Sequence, residues 1–155
     1  MWQPLGLSAL LAMGTTLIHM VGLGLLLAVM RARSNHIRPH LSIWRQGAFF
    51  MLVVNGLFVL HALEILLYAI VYIWLGEFQT MEEALYFSTS TYTTLGIGDI
   101  YLDSKWRLVS AIEGFNGFLL IGWSTAFLVT VIGRLRSVEL EWLDHIRDGD
   151  EGRGS

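Results

Sequence analysis

EFQTMEEALYFSTSTYTTLGIGD, residues 77–99, is the stretch on which the reading of this chain turns. It lies between two long apolar runs, and it is too long for a turn yet too polar to cross a bilayer. Thr80 followed three residues later by Glu83 is a capping box, so a helix is expected over 80–92, with Glu82 and Glu83 at its positive end. Met81, Ala84, Leu85 and Tyr86 continue it. After Tyr92, the segment 93–99 carries Gly96 and Gly98, which reach backbone conformations closed to other residues. A short helix that enters from one side and returns as extended chain is a re-entrant loop. At membrane depth, irregular backbone is tolerated only where protein buries it or where it lines a water-filled path.

The rest of the chain supplies the membrane. Of 155 residues, 54% are hydrophobic and only 15% charged, well below the quarter or so of a soluble domain. A net charge of −3 offers no basic surface for nucleic acid, and the absence of cysteine excludes disulfides, thiolate metal sites and thiol nucleophiles. Crossing a bilayer takes about 20 apolar residues as a helix. Three runs meet that length: Leu5 to Met30 without a formal charge, Gly47 to Gly76 with Glu64 alone, and Leu108 to Gly133 with Glu113 alone. The first lacks the basic leader and cleavage pattern of a signal peptide. Arg31, Arg33, Arg38 and Arg45 follow the first helix, and Arg134 and Arg136 follow the third. Acidic Glu77, Glu82, Glu83, Asp99 and Asp103 dominate the connection between the second and third. The positive-inside rule then puts the N-terminus outside and the C-terminus in the cytoplasm, with Trp2, Tyr72, Trp74 and Trp106 in the outer aromatic belt and Trp44 in the inner one.

The expected organisation is a peripheral first helix over 1–31, packed on the second at the lipid-facing rim, and an Arg-rich cytoplasmic loop over 32–46. A module over 47–135 follows, with an outer helix 47–76, the short helix 80–92, the loop 93–99 and an inner helix 107–135. The tail, 136–155, repeats Val138, Trp142 and Ile146 every four residues, as a short amphipathic helix would.

Residues 93–99, Thr-Thr-Leu-Gly-Ile-Gly-Asp, resemble the Thr-Val-Gly-Tyr-Gly-Asp signature of the potassium-channel selectivity filter. The order of outer helix, pore helix, filter and inner helix also matches, over roughly Phe49 to Arg134. The resemblance is to small prokaryotic pore-loop channels, with a filter sequence like that of two-pore-domain channels and one extra N-terminal helix. It implies an all-α membrane protein with three spanning helices, a re-entrant pore helix and a filter loop, assembled as a homotetramer because one loop supplies a quarter of each ion cage. It implies no enzyme activity and no cofactor. K+ is the permeant ion, the lipid bilayer and copies of the same chain are the partners, and a cell (plasma) membrane, as in a prokaryote, is the location.

The residue roles follow from the same resemblance. Carbonyls of Thr94, Leu95, Gly96 and Ile97, with the Thr94 hydroxyl, would hold dehydrated K+. Thr93, Gly98, Asp99, Ser90 and Glu113 would support the filter, Tyr101 would ring the outer mouth, and Gly117 would be the gating hinge, with close helix packing as its other role. Ile97 stands where the family usually has Tyr or Phe, and Leu95 where Val or Ile is usual. Ser90 replaces a carboxylate that braces the filter Asp in many relatives, so hydroxyls of Ser88, Thr89, Ser90 and Thr91 would take over. The alternative is a channel that passes Na+ and K+ alike; a non-conducting interaction module is the reading from another class.

Four polar side chains inside the apolar runs stand apart. Glu113 either tunes ion entry, braces the filter, or is a carboxyl bonded to pore-helix hydroxyls. His61 and Glu64 share a helix face. With His19 they suggest a pH-sensing pair, a proton path or a metal site, and more plainly a polar contact fastening helix one to helix two, with Asn55 in the same role. An intramembrane enzyme around His19, His61, Glu64 and Glu113 is the most distant alternative.

Overall fold

The computed structural model describes residues 2–34 and 43–151, with side chains described over 2–32 and 47–133. Four helices make up the described chain: α1 (Trp2–Ser34), α2 (Ile43–Trp74), α3 (Met81–Tyr92) and α4 (Arg107–Glu151). The spans Trp2–Ala32, Gly47–Trp74 and Arg107–Gly133 are long and apolar enough to cross a membrane. This is an all-α membrane protein.

The ends of the helices have local causes. α2 stops two residues before the expected boundary because Gly76 takes φ +79. There the amide of Gly76 donates to the carbonyl of Ile73 and that of Glu77 to the carbonyl of Tyr72, both at 3.0 Å. This is a Schellman motif, which satisfies the last carbonyls of the helix. At α3, Thr80 is the N-cap in extended conformation, and its hydroxyl accepts from the amide of Glu83 at 3.2 Å. α4 runs unbroken to Glu151, so no break in the helix separates the expected inner helix from the expected tail helix. The side chains of Val138, Trp142 and Ile146, and the whole of the loop 35–42, lie outside the described residues.

Packing departs from expectation at α1. The helix lies against α4 as much as against α2, while α2 and α4 touch each other less; α3 fills the corresponding gap on the other side. Close approach is achieved with small residues: a Cβ on Gly56 would meet Leu26 at 2.5 Å, and Gly22 accommodates Leu60. At one end a core forms from Leu11, Tyr68, Tyr72, Phe87, Leu102 and Val109. Phe78, Phe87 and Tyr72 meet there at ring distances of 5.2–6.2 Å. Tyr72 is fully buried, which corrects its assignment to the aromatic belt, whereas Trp2 and Trp74 are about four-fifths exposed. Further along, Leu23, Leu57 and Leu60 form one cluster and Phe49, Val53 and Val131 another.

Candidate functional site

The loop that follows α3 is built by alternation of backbone hand. Thr94 (φ 59), Gly96 (φ 57) and Gly98 (φ 78) are left-handed, and Thr94 is the one non-glycine of positive φ among the described residues. Left-handed backbone costs a side-chain-bearing residue roughly 1 kcal/mol or more, so a threonine held there points to a conformation imposed by its surroundings. Glycine at the other two positions avoids that cost.

Two hydrogen bonds orient the loop. The amide of Gly96 donates to the carbonyl of Ser90 at 3.0 Å, and the amide of Ile97 donates to Ser90 Oγ at 3.1 Å. Every peptide bond in the chain that is described is trans. In a trans peptide the carbonyl points opposite to the amide hydrogen. The carbonyls of Leu95 and Gly96 are therefore directed away from α3, onto the open side of the loop, where residues 93–99 are all exposed. Ser90, singled out as a bracing hydroxyl, thus holds Gly96 and Ile97 rather than Asp99. Asp99 Oδ2 instead accepts from the hydroxyl of Tyr86 at 2.9 Å, and its Oδ1 from the amide of Ile100 at 3.1 Å. Thr93 caps α3, with its amide and hydroxyl both on the carbonyl of Thr89. Ser88 points elsewhere, to Glu113. Tyr101 is largely exposed and folds back, so that a Cβ on Gly98 would lie 3.0 Å from its hydroxyl. Between this loop, α3 and the start of α4 is a cavity of about 180 Å³ lined by Tyr86, Ser90, Asp99, Tyr101 and Arg107.

Glu113 is fully buried. Its Oε1 accepts from Ser88 Oγ and its Oε2 from the Tyr72 hydroxyl, each at 2.5 Å. The carboxyl therefore ties α4 to α2 and α3 and makes its bonds away from the loop. Gly117 lies directly beneath Tyr92, the last residue of α3: a Cβ there would come within 2.8 Å of the tyrosine ring and closer still to its backbone oxygen. Gly114 approaches the carbonyl of Thr91 in the same way, at 3.2 Å.

A second polar centre lies behind Tyr92. Glu64, fully buried, places Oε1 2.9 Å from His19 Nδ1 and Oε2 3.0 Å from His61 Nδ1, and the Tyr92 hydroxyl donates to Oε2. His61 Nε2 is 3.0 Å from Ser124 Oγ, and His19 Nε2 is 3.5 Å from it. All four helices meet here, not only the two that the sequence reading joined. Asn55 takes no part: it is exposed and donates to the carbonyl of Met51 in its own helix. The amide that does fasten α1 is Asn116 on α4, which donates to Thr15 Oγ1 at 2.8 Å and lies 3.4 Å from the Tyr68 hydroxyl. A lone asparagine in an apolar run was the available signal for it. Tyr86, Tyr92 and Ser124 carried none, since aromatic and hydroxyl residues are common in such helices.

A family model described as "Ion channel" matches residues 60–134, the part that holds the second half of α2, all of α3, the left-handed loop and α4 as far as Arg134. No curated protein and no solved structure matches the chain. Through that segment, just under half of its length, the chain is similar to the ion-channel family.

Proposed function

We propose that four copies of this chain surround one axis and conduct K+ passively through the carbonyls of Thr94, Leu95, Gly96 and Ile97. The observation that carries this reading is the alternation of left-handed backbone at 94, 96 and 98, combined with amides at 96 and 97 tied back to Ser90. Successive carbonyls are then free on one side, which suits them to replace the water shell of a cation without a fixed charge that would trap it. One loop offers only part of a cage, so the reading requires a tetramer. An uncovered stripe on α4, at Ala111, Phe115, Phe118, Gly122, Thr125 and Val129, is available to neighbouring copies or to the conduction path. The N-terminus is outside, the tail is cytoplasmic, and the membrane is the plasma membrane of the cell.

Ile97 favours a second reading, conduction of Na+ and K+ alike. Its side chain is half exposed and brings no ring hydroxyl to brace the loop. The contact that holds it is from its amide to Ser90 Oγ.

Gly96→Ala tests conduction itself. Alanine at φ 57 is strained by roughly 1 kcal/mol, but a Cβ there meets nothing within 4 Å in the protomer, so the fold should survive. Ion flux in proteoliposomes should fall at least tenfold with the helical content unchanged. Flux equal to that of the parent would contradict the assignment of this loop, and absence of flux in both would favour the non-conducting module.

A further inference from the structure

We infer that His19, His61 and Glu64 form a binding site for one transition-metal ion of the zinc type, with the Tyr92 hydroxyl as fourth donor. This goes beyond the proposed conduction and does not depend on it.

The donor atoms are already gathered. One ligand atom from each of His19, His61 and Glu64 lies within 4.8 Å of the others. The carboxylate sits between the imidazoles and presents a different oxygen to each, at 2.9 and 3.0 Å. A tetrahedral zinc ion, with bonds of about 2.0–2.1 Å, separates adjacent donors by roughly 3.3 Å. Placing an ion among them would open a Glu–His edge by a few tenths of an ångström and draw together donors that now lie up to 4.8 Å apart. The Tyr92 oxygen touches both Glu64 Oε2 and His61 Nδ1, at the open corner of the set.

The surroundings suit a metal as well. Both imidazoles turn the same nitrogen, Nδ1, to the carboxylate and the other, Nε2, toward Ser124 Oγ. A ligating histidine ordinarily donates its second N–H to such an outer partner, which fixes ring orientation. A hydroxyl has two lone pairs, so Ser124 can accept from both rings once the Nδ1 atoms are bare. Two imidazoles and one carboxylate match zinc, cobalt or nickel; calcium and magnesium would want more oxygens. Entry is from the His61 side, where the side chain keeps 18% exposure while Glu64 and His19 have none. The ion would join α1, α2 and the end of α3, immediately before the loop.

The test is Co2+ titration of the purified full-length protein in detergent, with His36, His40 and His145 replaced by asparagine so that the two core histidines are the only ones left. One Co2+ per chain should bind with the visible absorption of tetrahedral cobalt, and Zn2+ should bleach it. His61→Gln and His19→Gln, checked for unchanged elution and helicity, should each lose that band. A purely octahedral spectrum, no binding, or a band retained in either folded variant would overturn the assignment. The readout needs no ion flux, so its outcome is independent of whether the chain conducts.

Discussion

Gly117→Ala should unseat α3 from α4 and lower the melting temperature of the detergent-solubilised protein by several degrees. The added methyl has nowhere to go: it would fall within 2.8 Å of the Tyr92 ring and nearer still to the backbone oxygen of the same residue. A flexible side-chain tip could yield, but a helix-terminal carbonyl cannot without moving the helix. Overpacking of this kind costs about 1–3 kcal/mol. Tyr92 immediately precedes the loop, so ion flux should fall together with stability. Gly114→Ala, facing the carbonyl of Thr91 at 3.2 Å, should have a smaller effect, and Gly24→Ala, with nothing within 4 Å, almost none. Thermal unfolding of the three variants side by side checks the order. If Gly117→Ala changed gating and left stability untouched, the residue would be a hinge rather than a contact point.

The largest effect is expected at Glu64. Its carboxylate is the common partner of His19, His61 and Tyr92, which belong to three different helices. Glu64→Leu leaves those polar groups facing an apolar side chain in a buried site. At roughly 1 kcal/mol for each lost contact in a membrane protein, the total is about 3 kcal/mol. For a chain of this size that corresponds to a fall in melting temperature of roughly 10 °C. Glu64→Gln, which keeps the shape and one acceptor, should lose less. Asn55→Leu serves as the contrasting case: that amide bonds within its own helix and is exposed, so the change should stay within about 0.5 kcal/mol. Comparable losses at Glu64 and Asn55 would mean that the four-helix junction contributes no special stability.

The features legible in the sequence are those with local causes. Thr80 and Glu83 are three apart, and the cap they form is present. The three spans follow from uninterrupted apolar length, which needs no knowledge of neighbours. Packing partners are another matter. α1 and α2 are apolar nearly all round, so no stripe marks the side that meets protein, and the contact of α1 with α4 left no trace in periodicity. Glu64 and His19 are 45 residues apart and Asn116 and Thr15 are 101 apart; only the assembled fold pairs them. Tyr72 departs from the belt for a similar reason. A tyrosine near a helix end fits a membrane belt equally well until a buried carboxyl, Glu113, is found beside it. In the loop, the glycines at 96 and 98 were readable as left-handed positions. The positive φ at Thr94 was not, because nothing in a threonine announces it.

Under the proposed function this loop selects K+. Liposomes carrying the purified protein, loaded with K+ and diluted into Na+, measure it most directly through the membrane potential that develops. A potential close to that set by the K+ gradient, abolished by external barium, is the result this account predicts. An equal response to Na+ and K+ gradients would contradict selectivity and make Ile97 the first residue to change.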